Sequence, residues 1–190
     1  MESRVDRNWQ WVEGRLVADH IIFRVRHDIY RRLSDGLTHE FVLMECPDWV
    51  NILPFTADGR LILVRQFRHG IGGPTWEIPG GVLEPDEPPE QGAQRELREE
   101  TGHVPEKLEL LARIHPNPAF QANTCHLFLA TGCRPVAAQH LDPTEELELA
   151  FFPFEQVCRM ILAGEITHSL VLSTFLEFIL RKCRVEPPRH

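Results

Sequence analysis

Pro88 and Pro89 at one end and Gly102 at the other fix the limits of a helix, the strongest local constraint in the chain. Glu87 and Pro88 each precede a proline, so both are pushed out of the α region. Pro89 suits the first helical position, where its missing N–H is no loss. Gly102 suits the left-handed position just past a helix end. The spacing predicts a helix from about Pro89 to Thr101. Within it, Glu96, Glu99 and Glu100 fall inside an arc of roughly 100° on one face. Like charges three or four residues apart destabilise a bare helix by about 0.2–0.5 kcal/mol per pair. Two readings fit that face: a solvated surface steadied by Arg95–Glu99 pairing, or a ligand set.

Around this helix the pattern is mostly β. Residues 9–31 alternate loosely, Ser34-Asp35-Gly36 is a turn signal, and Phe41–Met44 and Val50–Leu53 read as strands. Ala57-Asp58-Gly59-Arg60 reads as a hairpin turn into Leu61–Phe67, the strongest strand. Trp76–Ile78 is a short strand entering Pro79-Gly80-Gly81. Further strands are expected near 108–114, 124–131 and 147–152, and helices at about 154–163 and 167–183. Strands interleaved with a few helices favour an α/β sandwich.

Three features favour the ligand set. Gly80 and Gly81 lie upstream, where a chain can turn tightly and expose a carbonyl. Glu87 is fixed just ahead of the helix. Gly92 removes a side chain one turn before Glu96, at about 1 kcal/mol relative to alanine. Clustered carboxylates beside a backbone carbonyl make an all-oxygen site, suited to Mg²⁺, with Mn²⁺ an alternative. Charge agrees. The formal net charge is -8, and nine acids against three bases lie between Glu84 and Glu109. Such a balance disfavours nucleic acid or an anionic membrane surface as partner.

Gly81, Glu87 and then Arg95-Glu96-Leu97-x-Glu99-Glu100-x-Gly102 resemble the box of the Nudix hydrolases in every spacing. One position departs: His103 stands where that family has an aliphatic residue, and Val104 is expected to fill its packing role. The resemblance implies the Nudix α/β/α sandwich, with a mixed sheet and a small N-terminal β-sheet. It implies metal ligands at Glu96, Glu100 and the Gly80 carbonyl, with Glu99 supporting or binding a further ion. Arg95 would orient the carboxylates.

The flanks are similar to the ADP-ribose and nucleotide-sugar pyrophosphatase branch: Leu63–Arg68, Trp76–Gly81, Pro118, and Gly164-Glu165-Ile166-x-His168-Ser169. Arg65 and Arg68, three apart on a strand, point to opposite faces. The resemblance makes Arg68 the better phosphate contact, with Arg65 second or a surface charge. It places the water-positioning base at Glu145, with Glu146 next, in a loop otherwise readable as solvated acid. Trp9, Trp11, Trp49 and Trp76 could stack a base, although tryptophan is more often core; Trp49 is the choice for a nucleoside pocket. His103, His115 and His168 read as packing or capping residues.

The implied activity is Mg²⁺-dependent hydrolysis of ADP-ribose or a related nucleoside diphosphate sugar to a nucleoside monophosphate and a sugar phosphate. The alternatives are a Nudix-fold sensor that binds such a sugar without cleaving it, or an enzyme for nucleoside triphosphates or dinucleoside polyphosphates. Residues 1–45 resemble the N-terminal arm through which this branch dimerises, with the Nudix domain at 46–190; a homodimer is expected. Five irregularly spaced cysteines argue against a disulfide framework or zinc ribbon, and the charged N-terminus has no signal-peptide core. With no stretch long enough to span a bilayer, a cytoplasmic protein is expected.

Overall fold

The computed structural model describes residues 8–141 and 146–183. They fall into two units. The first ends at residue 47 and also takes 115–124; the second takes 48–114 and the described residues from 125 onward.

The first unit is an antiparallel sheet in the order β1 (Trp9–Asp19), β2 (Arg24–Arg32), β3 (Thr38–Glu45). The tract 9–31 resolves into two strands divided at His20–Phe23, where the His20 N–H donates to the Phe23 carbonyl. The expected turn at Ser34–Gly36 joins β2 to β3. There Asp35 accepts hydrogen bonds of 3.0 and 2.6 Å from the Arg32 guanidinium, which holds its carboxyl down at about 2. Residues 115–124 contribute a parallel bridge from Gln121 to Met44. Trp11, Leu16, Val17, Ile21 and Val42 are exposed on this unit.

The second unit begins with β4 (Trp49–Thr56), β5 (Leu61–Arg68), β6 (Gly73–Glu77) and β7 (Gly80–Val82). It continues through α1 (Pro89–Thr101), β8 (His103–Val104), β9 (Lys107–Ile114) and β10 (Cys125–Pro135). It closes with β11 (Glu148–Phe152), α2 (Phe154–Leu162) and α3 (Ser169–Lys182). Eight strands make one mixed sheet along β11-β5-β4-β10-β8, with β6 on β5, β7 on β4 and β9 on β10. β4 and β10 run parallel, Trp49 opposite Cys125.

Strand alternation sends side chains to two cores. Val50, Ile52 and Ile62 meet Leu83, Phe128 and the α1 residues Ala93 and Leu97. Leu53, Leu61 and Leu63 meet Val157 of α2 and Val171, Phe175 and Phe178 of α3. One helix on one face and two on the other make the expected α/β/α sandwich. Among the described residues no helix is long and apolar enough to cross a membrane.

The ends of α1 fall where the prolines and glycine put them. Pro88 is extended (φ -61°, ψ 137°), Pro89 opens the helix, and Gly102 at φ 71° donates its N–H to the Arg98 carbonyl. The segment after β10 finishes the cap. The Val136 N–H reaches the Gly102 carbonyl at 2.9 Å, the His140 N–H the Glu99 carbonyl at 2.8 Å, and the Gln139 amide the Glu100 carbonyl at 2.6 Å. These bonds satisfy carbonyls that a helix end leaves open.

The short β8 was not legible in the sequence; it pairs with Arg134 and Pro135 at the end of β10. The box's aliphatic position is filled by His103 itself, not Val104. His103 is buried, with Nδ1 2.7 Å from the Thr101 carbonyl and its ring 5.6 Å from that of Phe151.

Candidate active site

β10 runs along one edge of β4, so β5 and β7 share the other. β5 pairs there at Phe55–Leu61, and β7 takes Trp49–Asn51. This split lets the chain at Pro79–Val82 lie under α1. The Gly80 N–H donates to the Glu100 carboxylate at 3.0 Å. Gly81 comes so close to Glu96 that a Cβ there would sit 2.5–2.7 Å from its carboxyl atoms. At Gly92 a Cβ would collide with Leu83 and meet Glu87 at 3.0 Å, so the helix lacks a side chain where those two pack.

Arg95 is the hub. Its Nε and Nη2 donate to the two Glu87 oxygens, each at 2.9 Å. Nη1 donates to Glu96 at 2.7 Å and Glu99 at 3.1 Å, and Nη2 also reaches the Val82 carbonyl at 3.0 Å. Glu87 further accepts the Glu84 N–H at 3.0 Å. The Arg95 guanidinium, helped by that N–H and opposed by burial, holds the Glu87 carboxyl below the usual carboxylate range. Glu87 in turn is the main cause raising the Arg95 pKa. A planar fork with five donors suits this task; a lysine ammonium could not span three carboxylates in fixed geometry.

Among the described residues, no three His, Cys, Asp or Glu side chains are already spaced to hold a metal ion. Arg95 spans Glu96 and Glu99, while Glu100 turns to Gly80. The donor set nevertheless fits a hard divalent cation: the Glu96 carboxylate oxygens come up against the backbone where Gly81 keeps a Cβ out of the way, and carboxylate oxygen is what such a cation takes. A cleft of about 390 Å³ opens beside it, lined by Arg95, Arg98, Glu99, Val104, Ala138 and His140 among others.

The two candidate phosphate-binding arginines go to different partners. Arg65 stands between Glu148 of β11 and Trp76 of β6 in one cross-strand row. Its Nη1 is 3.2 Å from Glu148, and its guanidinium lies 5.8 Å from the Trp76 ring centroid. Arg68 instead makes a two-pronged bond to Glu77, Nε at 2.8 Å and Nη2 at 2.6 Å. His168, just before α3, puts Nε2 4.0 Å from the same Glu77 oxygen. Burial lowers the His168 pKa; Glu77 opposes that and Arg68 adds to it. Glu77 escaped the sequence reading as a functional residue. Alternation beside Trp76 and Ile78 reads Glu77 as a solvent-facing acid, so its burial shows only once the β5–β6 register is known.

Trp49 opens β4 opposite Val82 and Cys125 and packs, half-buried, against the core under α2 and α3. Glu145 lies outside the described residues; Glu146 is exposed.

The NUDIX domain model matches residues 47–175. An ADP-ribose pyrophosphatase of Mycobacterium tuberculosis is 29% identical over 173 residues, 90% of this chain and 83% of that protein. One of Bacillus subtilis is 32% identical over 135 residues, 70% of this chain and 73% of that protein. A solved structure described as an ADP compounds hydrolase superposes with a TM-score of 0.79 at 21% identity, covering 93% of this chain and 94% of the other.

Proposed function

The chain belongs to the NUDIX domain family, and from that premise we propose that it hydrolyses the diphosphate bond of ADP-ribose or a related nucleoside diphosphate sugar. The products are a nucleoside monophosphate and a sugar phosphate. The observation that carries this reading is the Arg95 hub, one guanidinium holding Glu87, Glu96 and Glu99 next to the Gly80–Glu100 contact. The pyrophosphatase names of the two relatives support the substrate class.

Glu96, Glu99, Glu100 and the Gly80 carbonyl are the groups that would hold Mg²⁺, or Mn²⁺ in its place. The chemistry supplied by such an ion, when bound, is neutralisation of the phosphate charge and Lewis acidity toward water. The rest falls to the chain. Arg95 keeps the carboxylates from splaying under mutual repulsion. Arg68 contacts a phosphate, Arg65 is the second candidate, and Trp49 is the candidate for stacking on the base. Glu145 takes the proton of the attacking water, an assignment resting on sequence resemblance; Glu145→Gln beside Glu146→Gln tests it.

The experiment for the whole reading is phosphatase-coupled phosphate release over ADP-ribose, ADP-glucose, GDP-mannose, UDP-glucose and dinucleoside polyphosphates. Turnover of a nucleotide sugar is expected; no turnover of any compound with Mg²⁺ or Mn²⁺ rejects it. The same proposal includes a homodimer through the first unit, supported by the exposed Trp11, Leu16, Val17, Ile21 and Val42. A light-scattering mass near the 22.0 kDa of one chain rejects the dimer. It also includes a cytoplasmic location, supported by five free cysteines.

A further inference from the structure

We propose that Glu77 is a positioning residue for substrate: it fixes the plane of the Arg68 guanidinium so that Arg68 meets the diphosphate in one orientation. This rests on the reading of Arg68 as a phosphate contact and adds the residue that makes that contact directional.

The geometry is asymmetric. The Glu77 side chain is 3% exposed, whereas that of Arg68 is 43% exposed. The carboxylate is rooted in the protein and the guanidinium stands toward solvent. A single hydrogen bond would leave the guanidinium free to turn. The two-pronged bond through Nε and Nη2 fixes both its plane and its direction. Two of the five N–H donors of arginine are thereby committed to Glu77.

Stability alone is a poor account of this pair. Taking a carboxylate out of water is expensive, and apolar residues of similar volume commonly serve a fold as well as a buried ion pair. Orientation is what the pair adds. Its location agrees: Glu77 is followed by Ile78, Pro79 and Gly80, so the backbone that anchors Arg68 also carries the N–H held by Glu100. A cation fixed to that backbone keeps its distance from the carboxylate face. His168 bounds the third side at 4.0 Å, and its Nδ1 is buried with no hydrogen-bond partner among the described residues.

Steady-state kinetics on ADP-ribose, or on whichever panel substrate turns over best, test the proposal. The variants are Glu77→Gln, Arg68→Ala, the double variant and Arg68→Lys. Glutamine keeps the volume but loses the charge and the second acceptor. Glu77→Gln is expected to raise KM about tenfold while kcat stays within about threefold, as loss of an oriented binding group should. The double variant is expected to match Arg68→Ala, because Glu77 acts only through Arg68. If Glu77→Gln leaves KM unchanged while Arg68→Ala raises it, or if the two effects multiply, Glu77 does not act through Arg68 and the proposal is overturned alone. If Arg68→Ala itself leaves KM unchanged, the phosphate-contact reading falls and takes this one with it. Should Glu77→Gln fail to fold, Arg68→Lys carries the test. It keeps the charge without the fork; a raised KM with an unchanged melting temperature supports the proposal, and a wild-type KM overturns it.

Discussion

The Glu100 carboxylate, at the last turn of α1, accepts the backbone N–H of Gly80 at 3.0 Å. A residue buried to 5% exposure thus holds the start of β7, twenty residues upstream. Glu100→Gln keeps an acceptor for that N–H and removes the charge. Activity with Mg²⁺ should fall on the order of 10²–10³-fold, the scale seen when one charge-stabilising group is lost from an active site. The melting temperature should move little. Kinetics and thermal melting on the same preparation check both halves; near-wild-type turnover would remove Glu100 from the ligand set.

Arg95→Lys tests the hub. Lysine keeps one charge but cannot bond both Glu87 oxygens while reaching Glu96 and Glu99. Each charge-assisted hydrogen bond contributes about 1.5–3 kcal/mol, so the variant should lose roughly one to two such bonds of stability and most of its activity. Denaturant titration beside kinetics measures both. Loss of activity with unchanged stability would show that the carboxylates hold their places without the fork.

His168 predicts a pH dependence. Burial lowers its folded pKa beneath the ordinary value near 6.5. Above pH 6.5 the imidazole is neutral in both folded and unfolded chains and contributes nothing to the slope. As pH falls below 6.5 the unfolded chain takes the proton first, so stability declines until the folded pKa is passed. Urea midpoints at pH 7.5 and 5.5 should differ more for wild type than for His168→Gln. Equal differences would show that His168 titrates normally in the fold.

Thiol reactivity offers an independent check of the core. Burial pushes the Cys125 and Cys133 thiols up to about 12, so neither forms appreciable thiolate at pH 8. Cys183 is exposed. Iodoacetamide followed by mass spectrometry should mark Cys183 within minutes and leave Cys125 and Cys133 unmarked until denaturant is added. Rapid native labelling of Cys125 would contradict the parallel seat of β10 on β4.

What the sequence disclosed was what short spans decide. Pro88, Pro89 and Gly102 act on their own backbone, and α1 ends where they put it. The carboxylate arc follows from helical geometry alone, and period-two alternation separated Arg65 from Arg68. What it withheld depends on partners far along the chain. The fork of Arg68 on Glu77 needs the β5–β6 register, and the burial of His103 needs β10 and Phe151. The division of the 9–31 tract at His20–Phe23 turns on a hairpin whose signal is weak in a uniformly alternating segment.

The parallel register of Trp49 with Cys125 has a kinetic consequence. α1 lies wholly inside the chain loop that this pairing closes, and Leu97 and Ala93 rest partly on Phe128 and Ala130 from its far side. Long-range parallel pairing is among the slower events in folding. During synthesis, a chain that has emerged only as far as residue 124 already holds every box residue yet lacks Phe128 and Ala130 of the core under the carboxylate helix. Catalytic competence should therefore arise only after β10 docks, so that recovery of activity after dilution from denaturant lags the formation of α1.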